Sequence, residues 1–207
     1  MNFKRIIKIS SAVFVFLISG IDTYAQKDEK ARKLLEAMSD TYDKTDGIDI
    51  EFGGTVNGEI SLKGNMFVLD CDGIKTWFDG VTQWSYIKES NEINISSPTA
   101  EEQNMVNPYS IIKMYKNGFN YKYIGTKEFN GETCSEIMLI PEEKQNYEYM
   151  MIGINQKMEP VNIELVYSED DKEVISVKKY KTNNKLTEDN FRFDMDAHPD
   201  AEIIDLR

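Results

Sequence analysis

The stretch Ile48-Asp49-Ile50-Glu51-Phe52-Gly53, with Asn57-Gly58 and then Glu59-Ile60-Ser61-Leu62-Lys63 behind it, decides the fold. Apolar and polar residues alternate with a period of two, which puts one set of side chains on each face of an extended strand. Asn-Gly between two such runs favours a tight hairpin, because both central residues of that turn take positive φ. The same signal returns at Asp72-Gly73, Asp79-Gly80 and Asn130-Gly131. Consecutive strands therefore pair antiparallel. Further runs are expected at Thr133 to Ile140, Tyr147 to Asn155, Val161 to Tyr167, Glu173 to Tyr180 and Phe191 to Phe193, for ten to twelve strands in all.

Upstream, residues 28–43 carry Ala31, Leu34, Leu35, Met38 and Tyr42 at helical spacing, opposite a polar face of Arg32, Lys33, Glu36 and Asp40. This predicts an amphipathic helix. A second interruption of the strand pattern covers residues 97–120. There Asn107-Pro108 reads as an N-cap with proline at the first helical position, and Asn117-Gly118 as a C-cap, so a short helix is expected from Tyr109 to Lys116. Its Ile111, Ile112, Met114 and Tyr115 are too apolar for a free surface turn. A long antiparallel sheet curls, and short helices then cover its hollow side.

Composition narrows the function. The 207 residues hold 24 Lys and Arg against 36 Asp and Glu, a formal charge of -12, with no basic run to follow a phosphate backbone. Nucleic acid is not an expected partner. One histidine, His198, and two cysteines, Cys71 and Cys134, are too few for a thiolate or imidazole zinc site. No phosphate-binding glycine loop is present. Residues 1–25 run from Lys4, Arg5 and Lys8 through an apolar stretch, Ser11 to Ile18, to the small-residue ending at Ala25. This is the order of a cleavable secretory signal, and the stretch is far shorter than the roughly 20 residues needed to span a bilayer. Cleavage after Ala25 is expected, leaving one acidic domain, residues 26–207, exported in soluble form. Export permits a disulfide, and both a Cys71–Cys134 bridge and two buried free thiols stay open.

Four pieces of the chain carry a resemblance to the LolA family of periplasmic outer-membrane lipoprotein carriers. They are Met38-Ser39-Asp40-Thr41-Tyr42 before the first strand, Gly58 to Phe67, the hairpin Asp79-Gly80-Val81-Thr82-Gln83-Trp84-Ser85-Tyr86, and the closing Phe191-Arg192-Phe193 with Ile203-Ile204-Asp205. Residues 107–112 resemble the family's proline-led cover helix. The resemblance implies a mostly β fold, an incomplete antiparallel barrel of about eleven strands wrapped round short covering helices. It implies a carrier without cofactor or catalytic residue. Such a carrier takes acylated lipoproteins from an inner-membrane ABC-type releasing complex and ferries them to an outer-membrane acceptor. On this resemblance Phe52, Leu62, Phe67, Leu69, Trp84, Tyr86, Ile111, Ile112 and Met150 line the hydrophobic cavity. The family's lid-holding arginine falls on Lys63, which keeps the charge but lacks the planar fork.

Two other readings stand beside it. A periplasmic lipid or lipopeptide sensor, or a dedicated carrier of another amphiphile, would use the same fold. An enzyme or metal site has one candidate run, Asp194-Met195-Asp196-Ala197-His198-Pro199-Asp200. It lacks the glycine and terminal glutamate of a calcium loop, and reads as the solvated end of the last strand, so no metal is expected.

Overall fold

The computed structural model describes residues 27–99, 113–182 and 185–207. The expected export signal, candidate residues Ile111 and Ile112, and the first half of the expected helix Tyr109 to Lys116 lie outside the described residues. Of that helix, Met114–Lys116 form a 3-10 turn.

One α-helix, α1 (Glu29–Asp43), precedes a sheet of β1 (Ile48–Gly54), β2 (Gly58–Lys63), β3 (Met66–Cys71), β4 (Ile74–Phe78), β5 (Gln83–Ile87) and β6 (Glu92–Ser96), then β7 (Phe119–Phe129), β8 (Glu132–Pro141), β9 (Tyr149–Ile154), β10 (Pro160–Ser168), β11 (Asp171–Thr182) and β12 (Glu202–Asp205). All twelve strands form one sheet in the order β12-β6-β5-β4-β3-β2-β1-β11-β10-β9-β8-β7. Two antiparallel meanders, β1 to β6 and β7 to β11, meet where β1 pairs with β11. β12 returns to lie parallel to β6. The sheet is open, with β7 and β12 at its edges, so the mostly β, incomplete-barrel expectation is met with twelve strands in place of about eleven.

Turn chemistry explains the meander. Asp72 and Gly73, and again Asn130 and Gly131, take positive φ between β3 and β4 and between β7 and β8, as two-residue hairpins of this hand require. Asp79-Gly80 differs. It sits in a four-residue loop where the Asp79 carboxylate accepts from the backbone N–H groups of Val81 (3.0 Å) and Thr82 (2.8 Å). Gly58 also differs, lying inside β2, where a Cβ would come within 2.5 Å of the Asp70 carbonyl oxygen. The expected strand from Phe191 to Phe193 is not formed: Glu188–Phe191 is a 3-10 turn entered through a Thr187–Asn190 capping box, and the chain is extended only beyond it. The two phenylalanines are buried as anchors of this C-terminal segment, and their i, i+2 spacing mimics a strand.

α1 starts on Asp28, whose carboxylate accepts from the backbone N–H groups of Lys30 (2.7 Å) and Ala31 (3.1 Å). The same residue closes part of the β7 edge, since its backbone N–H donates to the Tyr121 carbonyl at 3.1 Å and its second oxygen accepts from the Tyr123 N–H at 3.3 Å. These backbone donors, Ala31 first, hold the Asp28 carboxyl below the usual carboxylate range. A lowered value means the stabilisation is complete above roughly pH 4 and is lost as pH falls through the lowered value. Asp28→Ala is expected to cost about 1–2 kcal/mol at neutral pH, with the difference from the parent shrinking in thermal melts taken at progressively lower pH. Asp28→Asn should recover most of that loss, because its side-chain oxygen still accepts.

Candidate functional site: the helix-bearing face of the sheet

Register assigns the side chains to faces. Ile48 and Ile50 lie opposite Leu62 and Ile60, these opposite Phe67 and Leu69, and Phe67 opposite Phe78. In the other meander Ile163 and Leu165 lie opposite Ile152 and Met150, these opposite Ile137 and Leu139, and these opposite Tyr123 and Tyr121. All share one inner face, and they pack with Ala31, Leu35, Met38 and Tyr42 of α1 into a single apolar cluster. The helix is pinned at its far end by the Tyr42 hydroxyl, which donates to the Gly64 carbonyl at 2.8 Å.

Five of the residues expected to line the cavity lie together here. Phe52, Leu62, Phe67 and Met150 are buried in this cluster, and Leu69 is half-buried against it. Trp84 and Tyr86 are not with them. The pairs Trp77–Trp84 and Trp84–Ile95 and Tyr86–Ile93 put both on the opposite face, in a separate cluster with Ile93, Ile95 and Phe193. Phe193 meets Trp77 edge-on at 5.1 Å and stacks on His198 at 5.1 Å. The reason for the split is parity: each turn from β2 to β5 exchanges odd and even positions between paired strands, so Trp84 shares its face with Val68 rather than with Phe67. The Tyr86 hydroxyl is occupied by Asn91 Oδ1 at 3.0 Å.

Lys63 holds a different segment from the one its position suggested. Its Nζ donates to the Leu186 carbonyl at 2.5 Å, tying the β2–β3 turn to the C-terminal segment. A lysine unmarked by the sequence does reach the helix: Lys113 Nζ donates to Ser39 Oγ at 2.7 Å and pairs with the Asp43 carboxylate. Beside it Tyr115 is buried, edge-on to Tyr121 at 6.4 Å, and burial pushes its hydroxyl up. The available signal was Ser39, a polar residue next to the apolar stripe of α1 and fully buried, which requires a partner. Lys113→Met should leave the far-UV circular dichroism unchanged. It should raise the dissociation rate of a bound acyl probe about fivefold, the equivalent of one hydrogen bond of roughly 1 kcal/mol.

The inner face is filled by the protein's own side chains. Ile50, Leu69, Ile163, Leu165 and Ile175 are among the exceptions, packed against the cluster but only partly covered. Two surface clefts, of about 460 Å³ and 450 Å³, lie outside this apolar strip. The first, around Glu51, Phe52, Gly58, Asp70, Cys71 and Lys178, and the second, along the 141–148 loop and Tyr167, are lined largely by charged and polar groups. Neither is the enclosed apolar cavity implied by the resemblance.

Both cysteines are free thiols, Cys71 at the end of β3 and Cys134 in β8. In the run 194–200, the Asp194 carboxylate accepts from the Asp196 N–H at 3.0 Å and His198 packs on aromatic rings. No group of three metal-ligating side chains occurs among the described residues. No helix among them is long and apolar enough to cross a membrane.

The family model described as outer membrane lipoprotein carrier protein LolA matches residues 21–164. An uncharacterized protein of Methanocaldococcus jannaschii is 26% identical over 203 residues, covering 93% of this chain. The chain spans 58% of the length of that curated relative. Among solved structures, an uncharacterized conserved protein from Thermus thermophilus has the same fold, with a TM-score of 0.63 at 13% identity over 86% of this chain and 99% of that one. The lipoprotein LppX of Mycobacterium tuberculosis gives a TM-score of 0.48 at 11% identity over 77% and 98%.

Proposed function

The chain belongs to the LolA family of outer membrane lipoprotein carrier proteins, and from that premise we propose that it is an exported carrier that shields the acyl chains of lipoproteins on the inner face of its sheet. The observation that carries this reading is that Ile50, Leu69, Ile163, Leu165 and Ile175 are apolar, half-covered and packed around the α1-filled core. At about 0.8 kcal/mol per buried methylene, long acyl chains do not leave a membrane for water unaided. A carrier that buried them fully would never release them.

The filled inner face answers this need. Acyl chains compete with Leu35, Met38 and Tyr115 for the same apolar surface, so part of the gross burial energy is spent on displacing the protein's own side chains, and net affinity is lowered. Lys113 and its contacts with Ser39 and Asp43 set how readily the covering residues separate from α1. In this reading cargo comes from an inner-membrane ABC-type releasing complex and passes to an outer-membrane acceptor that binds it better. Residues 1–25 supply the export signal, and the periplasm is the place of work.

The test is to purify the protein from its native compartment without detergent and identify bound molecules by mass spectrometry. Acylated lipoproteins in near-stoichiometric amounts, released on addition of acceptor membranes, are the expected result. A defined free lipid in their place would replace this reading with that of a sensor or of a carrier for another amphiphile.

A further inference from the structure

The two edges of the sheet are finished differently. β7 is protected: Asp28 occupies the outward backbone groups of Tyr121 and Tyr123, the pairing shifts between Tyr123 and Gly125, and Lys122 and Lys127 stand exposed on the strand. Bulges, lysines and a covering segment are the usual guards against strand addition. Among the described residues, β12 has none of them.

On β12 the N–H groups of Glu202 and Leu206 point inward, donating to the carbonyls of Asn91 (2.9 Å) and Ile95 (2.8 Å). Alternation then turns the N–H and C=O groups of Ile203 and Asp205 outward, at the end of the sheet order. Apolar side chains on and just past this strand are exposed, Ile203 50% and Leu206 66%. The surroundings are acidic. Glu92 stands opposite Glu202 across the strand pair, and Asp194, Asp196 and Asp200 lie on the run into β12. Arg207, just past β12, is occupied by Asp205 at 2.6 Å, and Arg192 faces Asp79. None of the other five carboxylates pairs with a described lysine or arginine.

We propose that the outer edge of β12 is a docking edge for an extended segment of a partner protein in which basic and apolar residues alternate, added to the sheet as a further strand. The open backbone groups select an extended chain, exposed Ile203 selects apolar positions on its own face, and the carboxylates, with Glu92 and Glu202 on the opposite face, select lysine or arginine between them. With two outward residues on β12 the contact is short, so the partner binds reversibly. This inference does not rest on the cargo reading, because it uses neither the inner face nor α1.

The probe is a fluorescein-labelled peptide of alternating lysine and valine, titrated into the purified full chain by fluorescence anisotropy, with amide exchange at Ile203 and Asp205 followed by NMR. Saturable 1:1 binding is expected, with slowed exchange at both amides and at least tenfold weakening between low and high salt. Ile203→Pro removes an outward N–H that makes no bond to β6 and should abolish binding. Ile203→Lys keeps the backbone but puts a positive charge where the partner's apolar side chain would pack, and should weaken binding at least tenfold, with thermal melts showing that each variant is folded. Equal binding by both folded variants, or unchanged exchange at Ile203 and Asp205 with peptide bound, would overturn the proposal by showing only general attraction of a basic peptide to an acidic protein. Self-association through this edge that excludes the peptide would overturn it as well, since the edge would then belong to a second copy of the chain.

Discussion

Replacing Phe67 with alanine is expected to lower the thermal midpoint by about 10 °C without changing the fold class read by circular dichroism. Phe67 is 2% exposed, faces Leu62 across β2 and β3, and meets the Phe78 ring at 5.6 Å. Truncation removes the buried ring and leaves a void between two elements that cannot close over it, at a cost of about 3–5 kcal/mol. For a chain of this size each kcal/mol moves the midpoint roughly 2–4 °C. Phe67→Leu refills most of the volume and should recover at least half of the loss. A midpoint within about 2 °C of the parent for Phe67→Ala, taking about 1 kcal/mol as the smallest effect of interest, would mean that the ring is not enclosed by α1 and the sheet.

The second large effect concerns binding. Leu69→Asp is expected to weaken binding of a fluorescent acyl probe by at least about tenfold, since a carboxylate facing an acyl chain must either be desolvated or keep water in the contact. Leu69 is only partly covered, so the folded state tolerates the substitution. Trp84→Ala serves as the counterpart: that indole packs with Ile93, Ile95 and Phe193 on the other face. It should cost stability and leave probe affinity unchanged. If Trp84→Ala abolished binding while Leu69→Asp did not, cargo would lie on the outer face and the proposed function would need a different surface.

That contrast shows where the sequence can be read and where it cannot. Helix α1 was legible because Ala31, Leu35, Met38 and Tyr42 recur at its own period, and all four are buried. Asp72-Gly73 and Asn130-Gly131 were legible because positive φ at two successive positions leaves few residue choices. Face assignment beyond one hairpin was not legible. Alternation identifies the two faces of a strand, but which of them continues into the next strand depends on turn length and register, and an error of one residue sends a tryptophan to the other side of the sheet. On β5 the even positions Trp84 and Tyr86 continue the face of Trp77 and Val68, and the odd positions continue that of Phe67. Lys113 was missed for another reason. Its partners, Ser39 and Asp43, lie 74 and 70 residues upstream, and a single lysine carries no periodicity that points to them.

The pairing of β1 with β11 also governs how this protein comes into being. Ile48 meets Thr182 and Gly54 meets Ile175, so the central seam joins segments separated by most of the chain. A ribosome must complete β11 before the middle of the sheet can close, and closing such a loop slows folding relative to local hairpins. Each meander can zip up by itself through its short turns, while β1 and β11 wait for one another as unpaired edges. During that interval the nascent chain stays threadable and exposes strand edges to chaperones and to aggregation alike. Sequence changes in β1 or β11 should therefore alter yield on expression more than their effect on final stability would suggest.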